Sequence, residues 1–211
     1  QGYWGELKLE RLLEAAGLEK GAQYLTQESY KDAEGDRYRP DAVLVLPEER
    51  HIVIDAKMNL LDYQRACEAV GDEEREACML RHASAMRTHM RQLGEKDYSR
   101  LQGLNSPELV LMFIPVEAAF LEAVRRDSSL YDDAFARKIV LVGPSNLLAS
   151  LQLVAQMWRT EQQNRNTQKI MERAASLYDK FVGFVGDLEK VRAQFATAGN
   201  TLDGAYAKLA T

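Results

Sequence analysis

The chain has 211 residues, of which 46% are hydrophobic and 28% charged, and this composition suits one generous domain or one domain with an appendage. The formal net charge of −5 argues against a surface that coats nucleic acid indiscriminately, but it is compatible with a local basic patch. The two cysteines, Cys67 and Cys78, cannot form a disulfide framework and lack metal-ligand spacing, which favours a reducing cytoplasm. The sequence contains neither a signal peptide nor the run of roughly 20 apolar residues that a membrane span requires.

The apolar pattern predicts helices and strands in the order α-β-β-β-α-β-α-β-α, which indicates a mixed α+β sheet sandwiched by helices. The runs 108–115 and 138–142 are almost continuously apolar, as is typical of strands buried on both faces. The predicted segments are, in chain order, a helix over 4–16, a strand over 23–29, strands over 42–46 and 51–54 joined by a turn, helices over 59–69 and 72–93, a strand over 108–115, a helix over 117–124, a strand over 138–142 and a long helical region from 145 or 146.

The last part of the chain has a different pattern. Its apolar residues recur in alternating steps of four and three, which is a heptad seam sustained for more than four heptads. We therefore predict a domain over residues 1–165 and a C-terminal helical, coiled-coil-like arm over 166–211. The arm either associates with a second copy or packs back on its own domain as a single amphipathic helix. The seam positions are Ile170, Ala174, Leu177, Phe181, Phe184, Leu188, Val191, Phe195, Ala198 and Leu202.

Two acids and a lysine stand at one end of the predicted hairpin. Asp41 precedes the first of its strands, and Asp55 and Lys57 end the second. Strand side chains alternate between faces, so Asp55 and Lys57 point the same way and Asp41 can meet them across the pair. A divalent cation on the carboxylates, with the lysine beside a phosphate, would compensate their desolvation, and that is the chemistry of metal-dependent phosphodiester cleavage. The alternative is a turn-capping Asp41 with an ion pair between Asp55 and Lys57.

A helix followed by three strands, with Pro-Asp on the second and Asp-x-Lys on the third, resembles the PD-(D/E)XK nuclease superfamily. More narrowly, the chain resembles the catalytic domain of the RmuC family of bacterial DNA recombination proteins. The residues that carry this closer resemblance are Gly2-Tyr3-Trp4-Gly5-Glu6, Arg39-Pro40-Asp41, Ile54-Asp55-Ala56-Lys57, His89 through Lys96-Asp97-Tyr98, Phe113-Ile114-Pro115-Val116-Glu117 and Trp158-Arg159.

The resemblance implies a restriction-endonuclease-like core and a role in limiting DNA rearrangement, such as inversion. It also implies a membrane anchor and a coiled coil upstream. Because the chain starts at Gln1 without an initiator methionine, we expect it to be a fragment. We expect this fragment to be cytoplasmic and without membrane contact of its own, and the full-length protein to be tethered to the inner membrane.

The resemblance also implies roles for individual residues. Asp41 and Asp55 would be metal carboxylates, and the Ala56 carbonyl would be a third ligand. Glu6 would complete the shell from the first helix, directly or through water. These hard oxygen ligands suit Mg²⁺ or Mn²⁺. Lys57 would steer or activate the attacking water and offset the charge that grows on the phosphate.

Two further residues have alternative interpretations. Gln27, on the strand before Asp41, either faces the site or is an ordinary strand residue. Glu117, which follows Pro115 at a strand end, is either a supporting group of the site or an acid favoured by the dipole at a helix N-terminus.

The segment 79–100 has five Lys and Arg residues against two acids, a local basic excess in an acidic protein. His82, His89 and Lys96 are spaced by seven and share one helical face if the helix is unbroken through Gly94. We predict a DNA-phosphate-contacting ridge here, and the alternative is an ordinary amphipathic helix with a polar exposed face. The ridge residues are Arg81, His82, Arg87, His89, Arg91 and Lys96.

The leading hypothesis is a Mg²⁺- or Mn²⁺-dependent deoxyribonuclease domain of a DNA recombination protein, which acts on DNA and forms homo-oligomers through its arm. The alternative is a catalytically weak or inactive scaffold with the nuclease fold, which binds DNA and self-associates. The presence together of Asp41, Asp55 and Lys57 favours the enzyme, because a scaffold has no physical need to cluster two acids and a lysine.

Overall fold

The computed structural model describes residues 2–31, 35, 37–56, 58–96, 98, 101, 103–105 and 109–209, and for residues 2, 3, 206, 207 and 209 it describes the backbone only. The chain divides into two compact units, Gln1–Arg159 and Thr160–Thr211. The first unit holds all the strands of the described chain, and residues 160–209 of the second are helical throughout. None of the described helices is both long and apolar enough to cross a membrane.

Helices and strands follow one another along the first unit, and a last helix extends to Leu209. The helices of the described chain are α1 (Gly2–Ala15), α2 (Leu61–Glu68), α3 (Asp72–Gly94), α4 (Glu117–Arg126), α5 (Leu130–Ala136) and α6 (Pro144–Leu209). The strands are β1 (Tyr24–Thr26), β2 (Tyr30–Lys31), β3 (Arg37–Tyr38), β4 (Ala42–Val45), β5 (His51–Asp55), β6 (Val110–Phe113) and β7 (Ile139–Val142).

The central sheet has five strands in the order β1-β4-β5-β6-β7. The pairs β1–β4 and β4–β5 are antiparallel, whereas β5–β6 and β6–β7 are parallel. Strands β6 and β7 contain the two apolar runs, and each parallel connection crosses over through helices. The predicted mixed sheet flanked by helices, with a long C-terminal helix, is confirmed.

The sheet separates two apolar cores. One core joins the sheet to α1 and to the first turns of α6, with Leu13 and Ile54 among its fully buried members. The other joins the sheet to α3, α4 and α5, and includes Val43, Val53 and Met90. Because strand side chains alternate, the odd-numbered positions of β4 and β5 face α3 and the even-numbered ones face α1.

Two features of the first unit differ from the predicted elements. Strands β2 and β3 form a pair where no strand is predicted, because Tyr30 is buried and Tyr38 packs against the core that contains α3. Helix α5 lies where no element is predicted. At seven residues it is too short to be stable alone, and burial of Leu130 and Ala134 stabilises it.

Helix α1 touches the end of β5 at a position that only glycine can occupy. A Cβ atom on Gly5 would lie 2.8 Å from the carbonyl oxygen of Ala56 and 3.7 Å from Cγ of Pro115. The nearer atom belongs to the backbone and cannot rotate away. Gly5 therefore sets how closely α1 approaches the strand that ends in Asp55.

We expect Gly5→Ala to lower the free energy of unfolding by about 1–3 kcal/mol, because the added methyl group overpacks a rigid contact. Urea unfolding followed by circular dichroism measures this change. The matched control is Gly183→Ala within helix α6, where an added Cβ meets nothing within 4 Å; it should not lower the free energy of unfolding, because alanine has the higher helix propensity. Equal stability of the two variants would contradict the close approach of α1.

Candidate active site at the ends of strands β4 and β5

Asp41 and Asp55 face each other where β4 begins and β5 ends, at one end of the interior strands of the sheet. The register pairs Ala42 with Ile54, so Asp41, one residue earlier, lies opposite Asp55 at the end of β5. Residues opposite each other in an antiparallel pair project from the same face. Both acids are buried, with 8% and 3% of their surface exposed. The two sequence motifs therefore bring a pair of buried carboxylates together on the side of the sheet that faces α3.

Specific contacts hold each carboxylate. The Ala56 N–H donates a hydrogen bond to Oδ2 of Asp41 at 2.7 Å, which ties Asp41 to the strand end that carries Asp55. His89 Nε2 lies 2.9 Å from Oδ2 of Asp55, and Lys96 Nζ lies 3.8 Å from its Oδ1. Helix α3 carries His89, and Lys96 follows two residues after the helix ends at Gly94. The side of α3 that faces the sheet thus brings basic groups to the acids.

The other predicted metal ligands lie on or beside the contact with α1. The Ala56 carbonyl accepts the N–H of Met58 at 3.0 Å and lies against Gly5. Glu6 follows Gly5 in α1 and is half-buried. Among the described residues, no three His, Cys, Asp or Glu side chains form a group arranged to hold a metal ion. Lys57 lies outside the described residues, so its role and the full metal shell stay predictions.

The two supporting candidates have different surroundings. Gln27 is not on a strand: β1 ends at Thr26, and Gln27 is exposed with a left-handed backbone (φ 61°). Glu117 is the first residue of α4, and its Oε2 accepts the N–H of Ser145 at 3.0 Å. A carboxylate at the first turn of α6 satisfies a free helix N–H and interacts favourably with the helix dipole. Glu117 thus stabilises the start of α6.

Two residues of the predicted ridge are bound by other groups of the protein: His82 is buried, and Arg87 is partly exposed but paired. His82 is fully buried, its Nε2 is 3.0 Å from the Ala119 carbonyl oxygen, and burial lowers its pKa. The guanidinium of Arg87 binds the carboxylates of Asp127 and Asp133, and these contacts raise its pKa. His82 therefore cannot contact DNA from a surface ridge. Arg87 links α3 to the segment that contains Asp127 and Asp133 through ion pairs.

The remaining ridge residues divide between the site and the surface. His89 contacts Asp55 from the side of α3 that packs against the sheet, and Lys96, beyond the end of the helix, contacts Asp55 as well. Arg81 is exposed but pairs with Asp62 at 3.2 Å, and Arg91 is exposed. The spacing of seven noted in the sequence marks an inward face, not an outward one.

Tyr98 is a site neighbour that the sequence indicates only within a longer motif. Its side chain is buried, and its ring packs edge-on against Tyr38 with 6.2 Å between centroids. Burial raises the pKa of Tyr98, and the charges of Asp55 and Asp41 raise it further. Its position two residues after Lys96 is the one signal that could have placed it beside the acids.

Two open cavities meet at Met58, three residues after Asp55. One has a volume of about 430 Å³ and a mainly apolar wall, and the other is a groove of about 420 Å³ along α3, lined mostly by residues with polar side chains and called the polar groove below. The described residues that line the apolar cavity are Trp4, Met58, Leu60, Tyr63, Gln64, Pro115 and Val116. Those that line the groove are Met58, Asn59, Arg81, Ser84, Ala85, Thr88, His89 and Gln92.

Comparison with known proteins gives consistent matches. Residues 1–211 match the RmuC family. Over 98% of this chain, a DNA recombination protein RmuC homolog of Pseudomonas aeruginosa is 49% identical. A homolog of Vibrio cholerae and the DNA recombination protein RmuC of Escherichia coli K12 are 45% and 43% identical over 100% of it. The chain spans less than half of these curated relatives (45%, 41% and 44% of their lengths). No solved structure matches the chain significantly.

We expect the protein to lose stability above about pH 10, where tyrosines of an unfolded chain begin to ionise. The folded state holds the Tyr98 proton to higher pH, so its stabilising effect is complete below about pH 10 and is lost as the pH rises further. Burial and Glu28 likewise raise the pKa of Tyr30 to about 12. Urea unfolding from pH 8 to 12 should show a shallower decline for Tyr98→Phe than for wild type. Tyr178→Phe, at an exposed position, should follow wild type, and a Tyr98→Phe profile parallel to wild type would contradict the expectation.

Proposed function

The chain belongs to the RmuC family, and from this premise we propose that its first unit is a metal-dependent deoxyribonuclease domain of a DNA recombination protein. The names of its curated relatives support DNA as the substrate. The main support for the proposal is the pair of buried carboxylates, Asp41 and Asp55, which lie opposite each other at one end of the interior strands β4 and β5.

Two buried carboxylates that face each other lower the stability of the fold unless other groups compensate their charge. Like charges opposite each other across strands destabilise the pair, and burial adds a desolvation cost. The Ala56 N–H and the side chains of His89 and Lys96 offset part of this cost. Repulsion and desolvation of this kind are tolerated where a functional site needs closely spaced acids, and this favours a cation-binding function.

The donor chemistry fits Mg²⁺ or Mn²⁺. Mg²⁺ is commonly held by one or two carboxylates and keeps water and substrate phosphate in the rest of its shell. Asp41 and Asp55 would supply the carboxylates, and the Ala56 carbonyl and Glu6 would be further oxygen donors. When bound, the ion would supply water activation and neutralise charge on the phosphate.

The neighbouring side chains have roles that do not depend on the ion. His89 donates its Nε2–H to Asp55, because an ionised carboxylate can only accept, and this contact fixes the orientation of that carboxylate. Lys96 provides positive charge on the same side of Asp55. Lys57, assigned from the sequence motif, would stabilise charge on the phosphate during cleavage.

One observation favours the second candidate, a DNA-binding scaffold with the nuclease fold and no turnover. Asp55 already has basic partners in His89 and Lys96, and the described residues contain no ready-made group of three metal-ligating side chains. In that case the role of Asp55 would be structural: its contacts with His89 and Lys96 would hold α3 and the segment after it against the sheet.

We also propose that the second unit associates with a second copy of the chain. Phe181, Phe184 and Phe195, all on the heptad seam, expose 61%, 59% and 75% of their surface. A continuous stripe of exposed apolar side chains is characteristic of an interaction surface, and alternation of four and three matches a partner helix. A second copy presents an identical seam.

The nuclease proposal predicts that Asp41→Asn and Asp55→Asn lose at least about 10²-fold in DNA cleavage, because each removes one charge at constant shape. The assay uses the 211-residue chain with labelled blunt, single-stranded, flap and junction DNA, in Mg²⁺, Mn²⁺ or EDTA. Calorimetry with Mn²⁺ on the same proteins should show binding to wild type and none to the two variants.

Asp72→Asn, which changes an exposed acid at the start of α3, is the matched control and should cleave like wild type. Lys57→Ala should retain Mn²⁺ binding while losing cleavage. Unchanged Mn²⁺ affinity in Asp55→Asn would end the nuclease proposal. Wild type that binds DNA but neither cleaves it nor binds Mn²⁺ would establish the scaffold.

Self-association predicts that the 211-residue chain sediments as an oligomer and that Phe181→Lys with Leu188→Lys sediments as a monomer. Charge at two seam positions would be buried in the contact, which is costly without a partner charge. Val182→Lys changes an exposed residue beside the seam, and this control should remain oligomeric. Analytical ultracentrifugation over a concentration series measures all three, and monomeric wild type at the highest concentration would contradict the proposal.

A further inference from the structure

Two residues on the wall of the apolar cavity are close neighbours, along the chain, of residues at the candidate site. Trp4 on its wall directly precedes Gly5, whose backbone lies against the Ala56 carbonyl. Met58, on the same wall, follows Asp55 by three residues. The volume of about 430 Å³ lies within the range of small-ligand sites. The cavity shares Met58 with the groove along α3, and the groove reaches Asp55 through His89.

The wall of the cavity suits a flat aromatic ring. Trp4 is 49% exposed, which is a large indole surface in contact with solvent, and Tyr63 contributes a second aromatic side chain. Leu60, Pro115 and others add aliphatic surface. Aromatic side chains bind bases of unpaired DNA by stacking, and this interaction tolerates different bases because each has a π-face.

The charges around the cavity suit a nucleotide. Lys8 Nζ lies over the Trp4 ring, 5.2 Å from its centre, so the ammonium covers one face of the indole and a base would stack on the other. The polar groove on the other side of Met58 is lined by Arg81 and His89, and none of its described lining residues is acidic. Arg81 pairs with Asp62 and His89 contacts Asp55, so the groove offers a sugar–phosphate backbone mainly the neutral hydrogen-bonding side chains of its lining.

We propose that the apolar cavity binds an unpaired nucleobase of DNA while the backbone of that strand lies along the groove and its phosphate reaches Asp41 and Asp55. A base in an intact duplex is stacked and paired, and it cannot enter the cavity without being extruded. The favoured DNA therefore has a single-stranded segment, such as an overhang or a flap. This inference rests on the proposed function for the choice of DNA as ligand, but base binding does not require turnover.

Fluorescence anisotropy of labelled DNA tests the inference on the 211-residue chain, with Ca²⁺ in place of Mg²⁺ so that binding is measured without cleavage. The probes are one blunt duplex, the same duplex with a thymidine overhang, and that overhang with abasic residues. Wild type should bind the thymidine overhang about tenfold or more tightly than the abasic one. Trp4→Ala should lose this preference, and Trp4→Phe should keep most of it.

Phe135→Ala, an exposed aromatic residue of α5 outside both cavity linings, is the matched control and should bind like wild type. A second measurement does not depend on the alanine variant: the difference in tryptophan emission between wild type and Trp4→Phe should be quenched by the thymidine overhang and unaffected by the abasic one. Equal affinity for both overhangs, or an equal loss by Trp4→Ala on the blunt duplex, would overturn the inference.

These outcomes are separate from those of the nuclease assay. A base preference that depends on Trp4, in a protein that cleaves no DNA in Mg²⁺ or Mn²⁺, supports the nucleobase cavity and rejects the nuclease. Cleavage without any base preference supports the nuclease and overturns the cavity assignment.

Discussion

The hydrogen bond from the Ala56 N–H to Asp41 is the contact on which the rest of the candidate site depends. It closes the β4–β5 pair one residue beyond the last paired position and keeps Asp41 opposite Asp55. From one side of the sheet α1 reaches the same strand end through Gly5, and from the other side α3 reaches it through His89. Both flanking layers are therefore positioned by one short stretch of β5, and a shift of register by one residue would move the acids to opposite faces.

The electrostatics of the first unit are organised around these acids. Helix α3 directs His89 towards the sheet, and Lys96 follows from the same side, whereas Arg87 is held by Asp127 and Asp133. The basic residues of this segment thus stabilise the fold and the carboxylates first. What remains for a nucleic acid is a groove without described acidic lining, next to an apolar cavity. Under the proposed function, such a surface would recognise unpaired bases without needing a high overall positive charge, which is compatible with the net charge of −5.

The parts of the fold that the sequence predicts are those with a strong local signal. Strands β6 and β7 are uninterrupted apolar runs, and their burial on both faces of a parallel pair leaves little choice of structure. Helix α5 and the small β2–β3 sheet have weak local patterns and are stabilised by distant residues. Packing of Tyr30 and Tyr38 against the core forms the small sheet, and a seven-residue helix persists because its apolar side is buried. The local pattern of apolar residues does not predict such contacts, because the partners are far away in the sequence.

For the site, the sequence alone predicted that Asp41 and Asp55 can meet on one face of adjacent strands, because strand side chains alternate and a short turn joins the strands; a turn-capping role for Asp41 remained open until the structure placed it opposite Asp55. Only the tertiary structure determined the burial and the contacts of the polar residues on α3. His82, His89 and Arg87 are indistinguishable in the sequence as polar residues of an amphipathic helix. In the structure His82 is buried, His89 contacts Asp55, and Arg87 forms ion pairs with two acids. The physical reason is that helical periodicity defines which residues share a face, whereas the neighbour packed against that face determines whether it meets solvent, core or charge.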